Sequence, residues 1–223
     1  MGVVAALRSA ELRTVAGAMI TASHNAEPDN GVKICEGCGD MLASEWEARC
    51  TALANIDDAD AAVAYVRELS ATIDFVWPST VFLARDTRPS SSRLAALLAR
   101  GAEAAGAAVR DYQLLTTPQL HFLVRVANAD GDAAAVESAY YEQLCAAYSA
   151  LVPSSSGLRT VTVDCANGVG GEKIGPIVAA LAGSLEFDLR NTSGEVNLRC
   201  GAEHVQVWST LWDACIALTS RLD

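Results

Sequence analysis

The 223-residue sequence has no apolar run approaching the roughly 18 residues that a membrane-spanning helix needs. Its first apolar stretch, Val3 to Leu7, is too short for a secretory core, and no basic segment precedes it. Ala6 stands where a myristoylation motif wants Ser or Thr. A cytoplasmic chain is therefore expected. Positive charge is scarce: 16 Lys and Arg face 27 Asp and Glu, a formal net charge of −11. That argues against nucleic-acid or anionic-membrane partners, which need a basic footprint, but leaves room for a small anion in a locally basic site. The seven cysteines lack regular spacing and read as reduced, mostly buried thiols. Cys35 and Cys38 form a lone CxxC without a second pair or a nearby His, so neither zinc nor redox chemistry is expected there. Asn191-Thr192-Ser193 is a glycosylation sequon with no use in a chain that is not exported.

What is present is material for a core. Hydrophobic residues make up 51% and charged residues 19%, which excludes disorder as the overall state. The length corresponds to about one and a half domains. Val3 to Leu12 has helical spacing. Val15 to Ile20 reads as a buried strand, followed by the polar loop TASHN, an Asp29-Asn30-Gly31 turn and an alternating strand at 32–35. Ser44 with Glu47 has capping-box spacing and opens a helix toward Asn55, and a second helix is expected from Asp57 to Ser70. Val76 to Ala84 reads as a strand and Ser91 to Ala105 as a helix closed by Gly106. A short strand is expected at 107–112, a helix beginning near Pro118, and a long helix from Ala133 to Leu151. Residues 153–157 have linker composition. A strand at 159–165, a Gly-rich loop at 167–171 and a helix from Lys173 to Ala182 follow. Alternating strands and helices predict an α/β fold with a mixed, mostly parallel sheet and helices on both faces, then part of a second α/β domain.

The pentapeptide Thr21-Ala22-Ser23-His24-Asn25 is the leading chemical candidate. A Ser just past a buried strand is exposed on a rigid base, which suits a nucleophile or a phosphate carrier. Lys33 lies ten residues on, and a strand–turn–strand path brings it back beside Ser23, where a cation would stabilise a phosphorylated serine. An ordinary polar loop is the competing reading of these five residues. A Ser–His hydrolase is disfavoured, because Thr21 and Asn25 occupy the glycine positions of a nucleophile elbow. The close-spaced carboxylates, Asp57 to Asp60 and Asp130 with Asp132, suit helix starts and turns better than Mg²⁺. Asn167-Gly-Val-Gly-Gly fails as a dinucleotide fingerprint, since Lys173 replaces its third glycine, and reads as a tight strand-to-helix turn.

Together, TASHN and DNGVK resemble the phosphoserine loop of the α-D-phosphohexomutases. MLASEWEARCTALAN, ARDTRPSSSRL, DYQLLTTPQLHFLV and VDCANGVGGEKI resemble its phosphoacetylglucosamine mutase branch, from about Val3 to about Gln206. That resemblance implies an isomerase of carbohydrate metabolism, interconverting N-acetylglucosamine 6-phosphate and 1-phosphate on the route to UDP-N-acetylglucosamine. It implies Ser23 as the phosphoserine intermediate, His24 and Lys33 as further catalytic residues, and Mg²⁺ as cofactor, with the Ser23 phosphate as one metal ligand. The partners it implies are a phosphorylated amino sugar and a hexose bisphosphate. The runner-up is a phosphoglucomutase or phosphomannomutase of the same superfamily. An alternative of another class is a catalytically silent, phosphoserine-bearing interaction module.

The sequence also departs from that pattern. Ala26 stands where the family has Pro. The family's opening strand, its DGDADR-type metal loop and its sugar- and phosphate-binding loops find no match in these residues. Residues 1–152 are therefore expected to form a first domain without its first strand. A linker at 153–157, a partial second domain at 158–206 and an atypical tail at 207–223 would follow, the whole being a truncated and inactive chain.

Overall fold

The computed structural model describes residues 1–73, 78–152, 157–202 and 204. Helix α1 (Gly2–Leu12) ends at Arg13, whose left-handed backbone (φ 55°) turns the chain into β1 (Ala16–Thr21). Strand β2 (Gly31–Cys35), α2 (Ser44–Ala54), α3 (Ala59–Ala71), β3 (Thr80–Arg85), α4 (Ser91–Ala104) and β4 (Ala108–Leu114) follow. The sheet has the order β2-β1-β3-β4; β2 runs antiparallel to β1, and β1, β3 and β4 are parallel. Helix α5 (Thr117–Asp130) and α6 (Glu137–Leu151) complete this unit.

All six residues of β1 are buried, as a central strand covered on both faces requires. Alternate side chains feed two separate cores. Ala18, Ile20, Val81 and Leu83 pack against Val4 and Leu7 of α1 and Leu98 of α4. Met19, Phe82 and Ala84 point the other way, against Leu120, Leu123 and Val124 of α5. The mixed, mostly parallel sheet with helices on both faces is thus the one the sequence predicts.

The second unit has β5 (Arg159–Asp164), α7 (Val169–Lys173), α8 (Gly175–Leu181) and β6 (Leu185–Arg190), with β5 and β6 pairing in parallel over six positions. Residues 153–156, the core of the expected linker, and the tail at 207–223 lie outside the described residues.

Some boundaries differ from expectation, each for a physical reason. Ser44 is not the N-cap of α2. Ala43 holds that position without a side-chain cap, and the Glu36 carboxylate, itself gripped by buried Arg8, accepts the Ala43 N–H at 3.0 Å. The long helix begins at Glu137 rather than Ala133, because Gly131 (φ 91°) ends α5 and a short 3-10 turn at Asp132–Ala134 intervenes. Strand β3 begins at Thr80, and Val76 and Trp77 lie outside the described residues. The helix expected from Lys173 to Ala182 is α8, with Pro176 in its first turn, and α7 forms in part where the Gly-rich loop is expected.

Candidate active site

The carboxyl ends of parallel strands are where an α/β sheet presents its loops to ligands. Three loops meet there: residues 22–30 after β1, 86–90 after β3, and 115–116 leading into α5. A cleft of about 370 Å³ opens between them and the loops of the second unit, lined among others by Ser23, Arg88, Thr117, Gly168 and Asn197.

Ser23 is exposed and sits in the left-handed backbone region (φ 57°), unusual for a residue with a Cβ. The β1–β2 register pairs Met19 with Lys33 and Thr21 with Gly31, and the 3-10 turn Glu27–Asp29 closes the hairpin. Lys33 is thereby returned to the serine: its Nζ donates to Ser23 Oγ at 2.5 Å. Their separation of ten residues in sequence becomes direct contact in space. His24 is exposed; its carbonyl, not its ring, takes part in the described hydrogen bonds, accepting from Asn197 Nδ2 at 3.5 Å. The serine's described side-chain partner is thus Lys33, which gives no support to a Ser–His dyad.

Beneath the serine lies a buried polar unit that the sequence reading did not single out. Asp86 accepts from the hydroxyls of Thr21 (2.9 Å) and Ser91 (2.5 Å), from Arg88 Nε (3.0 Å) and from the Arg88 backbone N–H (3.1 Å). Asp86 is 7% exposed and Arg88 4%. Such burial of charge is tolerated because four donors, two of them on the paired Arg88, satisfy the carboxylate. The signal was the run Arg85-Asp86-Thr87-Arg88 directly after a buried strand, which reads as an exposed loop on residue type alone.

The second unit reaches the same cleft. Asn197 Nδ2 donates to the carbonyls of His24 and Asn25 at 3.5 and 3.3 Å. The loops that do this are held by Asp164, which accepts from the N–H of Ala166 (2.9 Å), Asn191 Nδ2 (2.9 Å) and the N–H of Gly201 (2.8 Å). Burial pulls the Asp164 carboxyl upward, but these three donors outweigh it and hold it below the ordinary carboxylate range.

The other acidic candidates lie elsewhere. Asp58 is the N-cap of α3 and accepts from the Ala61 N–H at 2.8 Å. Asp130 ends α5, whose opposite end lines the cleft, so it stands roughly 20 Å from that end at 1.5 Å per residue. Among the described residues no group of three or more His, Cys, Asp or Glu is placed to hold a metal ion. Cys35, Cys145, Cys165 and Cys200 are buried free thiols, Cys50 is half-buried and Cys38 exposed. No described helix is long and apolar enough to cross a membrane.

The family model described as phosphoglucomutase/phosphomannomutase, alpha/beta/alpha domain I, matches residues 3–61 and 59–135. The phosphoacetylglucosamine mutase of Sus scrofa is 40% identical over 214 residues, covering 92% of this chain and 40% of its own length. Phosphoacetylglucosamine mutase 1 of Schizosaccharomyces pombe is 42% identical over 222 residues, covering 92% and 42%. The chain thus spans about two fifths of the length of these curated relatives. Aspergillus fumigatus N-acetylphosphoglucosamine mutase in complex with GlcNAc-6P and magnesium superposes with a TM-score of 0.79 at 37% identity, over 92% of this chain and 40% of that one. A variant of the same protein in complex with glucose 1,6-bisphosphate gives a TM-score of 0.80 at the same identity and coverage.

Proposed function

The chain belongs to the phosphoglucomutase/phosphomannomutase family, and from that premise we propose that it is the serine-bearing portion of a phosphoacetylglucosamine mutase. In this reading residues 1–152 form the domain that carries the phosphoryl group, and residues 158–206 begin a second domain that closes over it. The identity to named phosphoacetylglucosamine mutases over 92% of the chain supports the choice of sugar branch.

The observation that carries the reading is the contact of Ser23 Oγ with Lys33 Nζ at 2.5 Å, on a strained residue at the mouth of a cleft. Phosphoryl transfer depends on positioning and on neutralising charge, with little covalent chemistry for the protein to do. When the phosphoserine gives up its phosphoryl group, the P–Oγ bond breaks as a bond to a sugar hydroxyl oxygen forms, and the proton that hydroxyl loses is matched by one taken up at Oγ as the serine is regenerated. Negative charge develops on Oγ, where the Lys33 ammonium already stands. Asp86 and Arg88 in the lining neutralise each other, and Lys33 against Ser23 Oγ brings a positive charge to the mouth of the cleft, which suits a phosphosugar and a hexose bisphosphate. His24 lies beside the serine on the same loop and is exposed.

Mg²⁺ accompanies the substrate in the Aspergillus relative. Here a phosphorylated Ser23 would offer it one oxygen. The described residues place no carboxylate set to complete its shell, so no step is derived through the ion.

Incubating the chain with glucose 1,6-bisphosphate and fragmenting it for mass analysis tests the proposal. One phosphoryl group on Ser23 is expected. Label on another serine, or undiminished label in Ser23→Ala, rejects it.

A further inference from the structure

The buried unit below the serine has a specific relation to it. Both main-chain polar groups of Ser23 end on the same carboxylate. Its N–H donates to Thr21 Oγ1 at 2.8 Å, and that hydroxyl donates to Asp86. Its carbonyl accepts from Arg88 Nη2 at 2.9 Å, while Nε of the same guanidinium holds Asp86. The peptide units on either side of Ser23 are therefore fixed from below, although the residue itself is exposed.

A residue with a Cβ stays in the left-handed region only when its surroundings over-determine it. The surroundings here are Thr21, Asp86, Arg88 and Ser91, all under 9% exposed, with Thr21, Arg88 and Ser91 each bonded to Asp86. Were Ser23 to relax to negative φ, its N–H and carbonyl would swing away from both anchors. Oγ would then leave Lys33. The geometry points to Asp86 and Arg88 as positioning residues that set the aim of the phosphoryl-carrying serine. This inference rests on the proposed role of Ser23, and its contacts make a separate prediction about the loop itself.

The chemistry also says why the cation is an arginine. A planar guanidinium reaches two acceptors in fixed directions, the Asp86 carboxylate with Nε and the Ser23 carbonyl with Nη2. An ammonium carries the same charge but not that fork. If charge alone mattered, Arg88→Lys would behave as wild type; if direction matters, it would not. Thr21 offers a second and milder probe, because Thr21→Val removes the hydroxyl at nearly constant volume and Thr21→Ser keeps it.

Two measurements on the full 223-residue chain test this. The first is hydrogen exchange of the Ser23 amide by NMR, which needs no substrate. The second is the maximal rate of Ser23 labelling at saturating glucose 1,6-bisphosphate. In Arg88→Lys and Thr21→Val, Ser23 exchange should quicken about tenfold or more. Maximal labelling should fall on the order of ten- to a hundredfold, the scale of a displaced reacting group, at an unchanged half-saturating concentration. Thr21→Ser should restore both. Variants that melt earlier but keep wild-type Ser23 exchange and labelling would overturn the inference, reducing the unit to ordinary core. If the wild-type chain takes no label, the proposed function fails, and the exchange comparison still decides whether these residues hold the serine.

Discussion

At the scale of single residues, the account rests on Lys33 being an electrostatic partner rather than a surface strand residue. In a full-length relative, Lys33→Met at the matching position should lower turnover on the order of 10²–10³-fold, as loss of one preorganised charge stabiliser does. Steady-state kinetics check it, and a wild-type rate would remove Lys33 from the site. Cys35 gives a prediction about pH. Burial pushes its thiol from 9.0 up to about 12 in the folded chain. The unfolded chain then loses that proton first, so stability is complete below about pH 9 and falls as pH rises toward 12. Tyr141, raised to about 12 by burial and by its bond to Glu137, acts in the same direction. Denaturation midpoints followed from pH 8 to 12 should fall less steeply in Cys35→Ala than in wild type; equal slopes would count against a buried, protonated thiol. Both Ser23 and Lys33 stand out in the sequence because a turn signal between two strand-like runs implies a return path. Asp86 and Arg88 do not, since charged residues in a polar run read as solvated and only the fold shows them buried.

Secondary-structure elements show where sequence patterns suffice. Strands β1 and β3 appear near the expected positions because each is a short apolar run bounded by polar loop residues. Strand β6 was not expected, because LEFDLR puts Asp188 and Arg190 among its apolar residues and flanks only β5. The start of α2 differs from its capping-box pattern for a different reason: its stabilising group, Glu36, comes from beyond the helix, which no local motif encodes. Packing between elements makes sharper predictions. At Gly17 of β1 an added Cβ would lie 2.3 Å from Cys35 Sγ and 2.8 Å from Val124 Cγ2. Gly17→Ala should cost about 1–3 kcal/mol through overpacking, read from chemical denaturation, and a neutral result would mean that β2 and α5 yield easily. Gln119, 1% exposed, joins α5 to α6. Its Oε1 accepts from the Thr116 N–H at 2.8 Å and its Nε2 donates to Tyr141 Oη at 2.8 Å. Gln119→Leu leaves the Thr116 N–H without this acceptor and takes one of two bonds from Tyr141 Oη, and should cost roughly 1–3 kcal/mol by the same measurement.

At the scale of the whole molecule, the two units meet through specific contacts. Lys173 of α7 pairs with Glu137 of α6 at 2.9 Å, and Asn197 holds the loop that carries Ser23. A single labelling event tolerates a slow step, whereas sustained turnover does not. Purified chain given Mg²⁺, a bisphosphate activator and N-acetylglucosamine 6-phosphate should therefore show no turnover above background, because the described residues complete no metal shell. Sustained turnover abolished by Ser23→Ala would contradict this.

The pairing of Ser23 with Lys33 is open to one direct measurement, a ³¹P NMR pH titration of the chain phosphorylated at Ser23. A free phosphoserine takes its second charge near pH 6, and an ammonium against its oxygens favours the doubly charged form. The account predicts a midpoint below that value in the wild-type chain and a return toward it in Lys33→Met. A midpoint at the ordinary value, unmoved by the substitution, would contradict it.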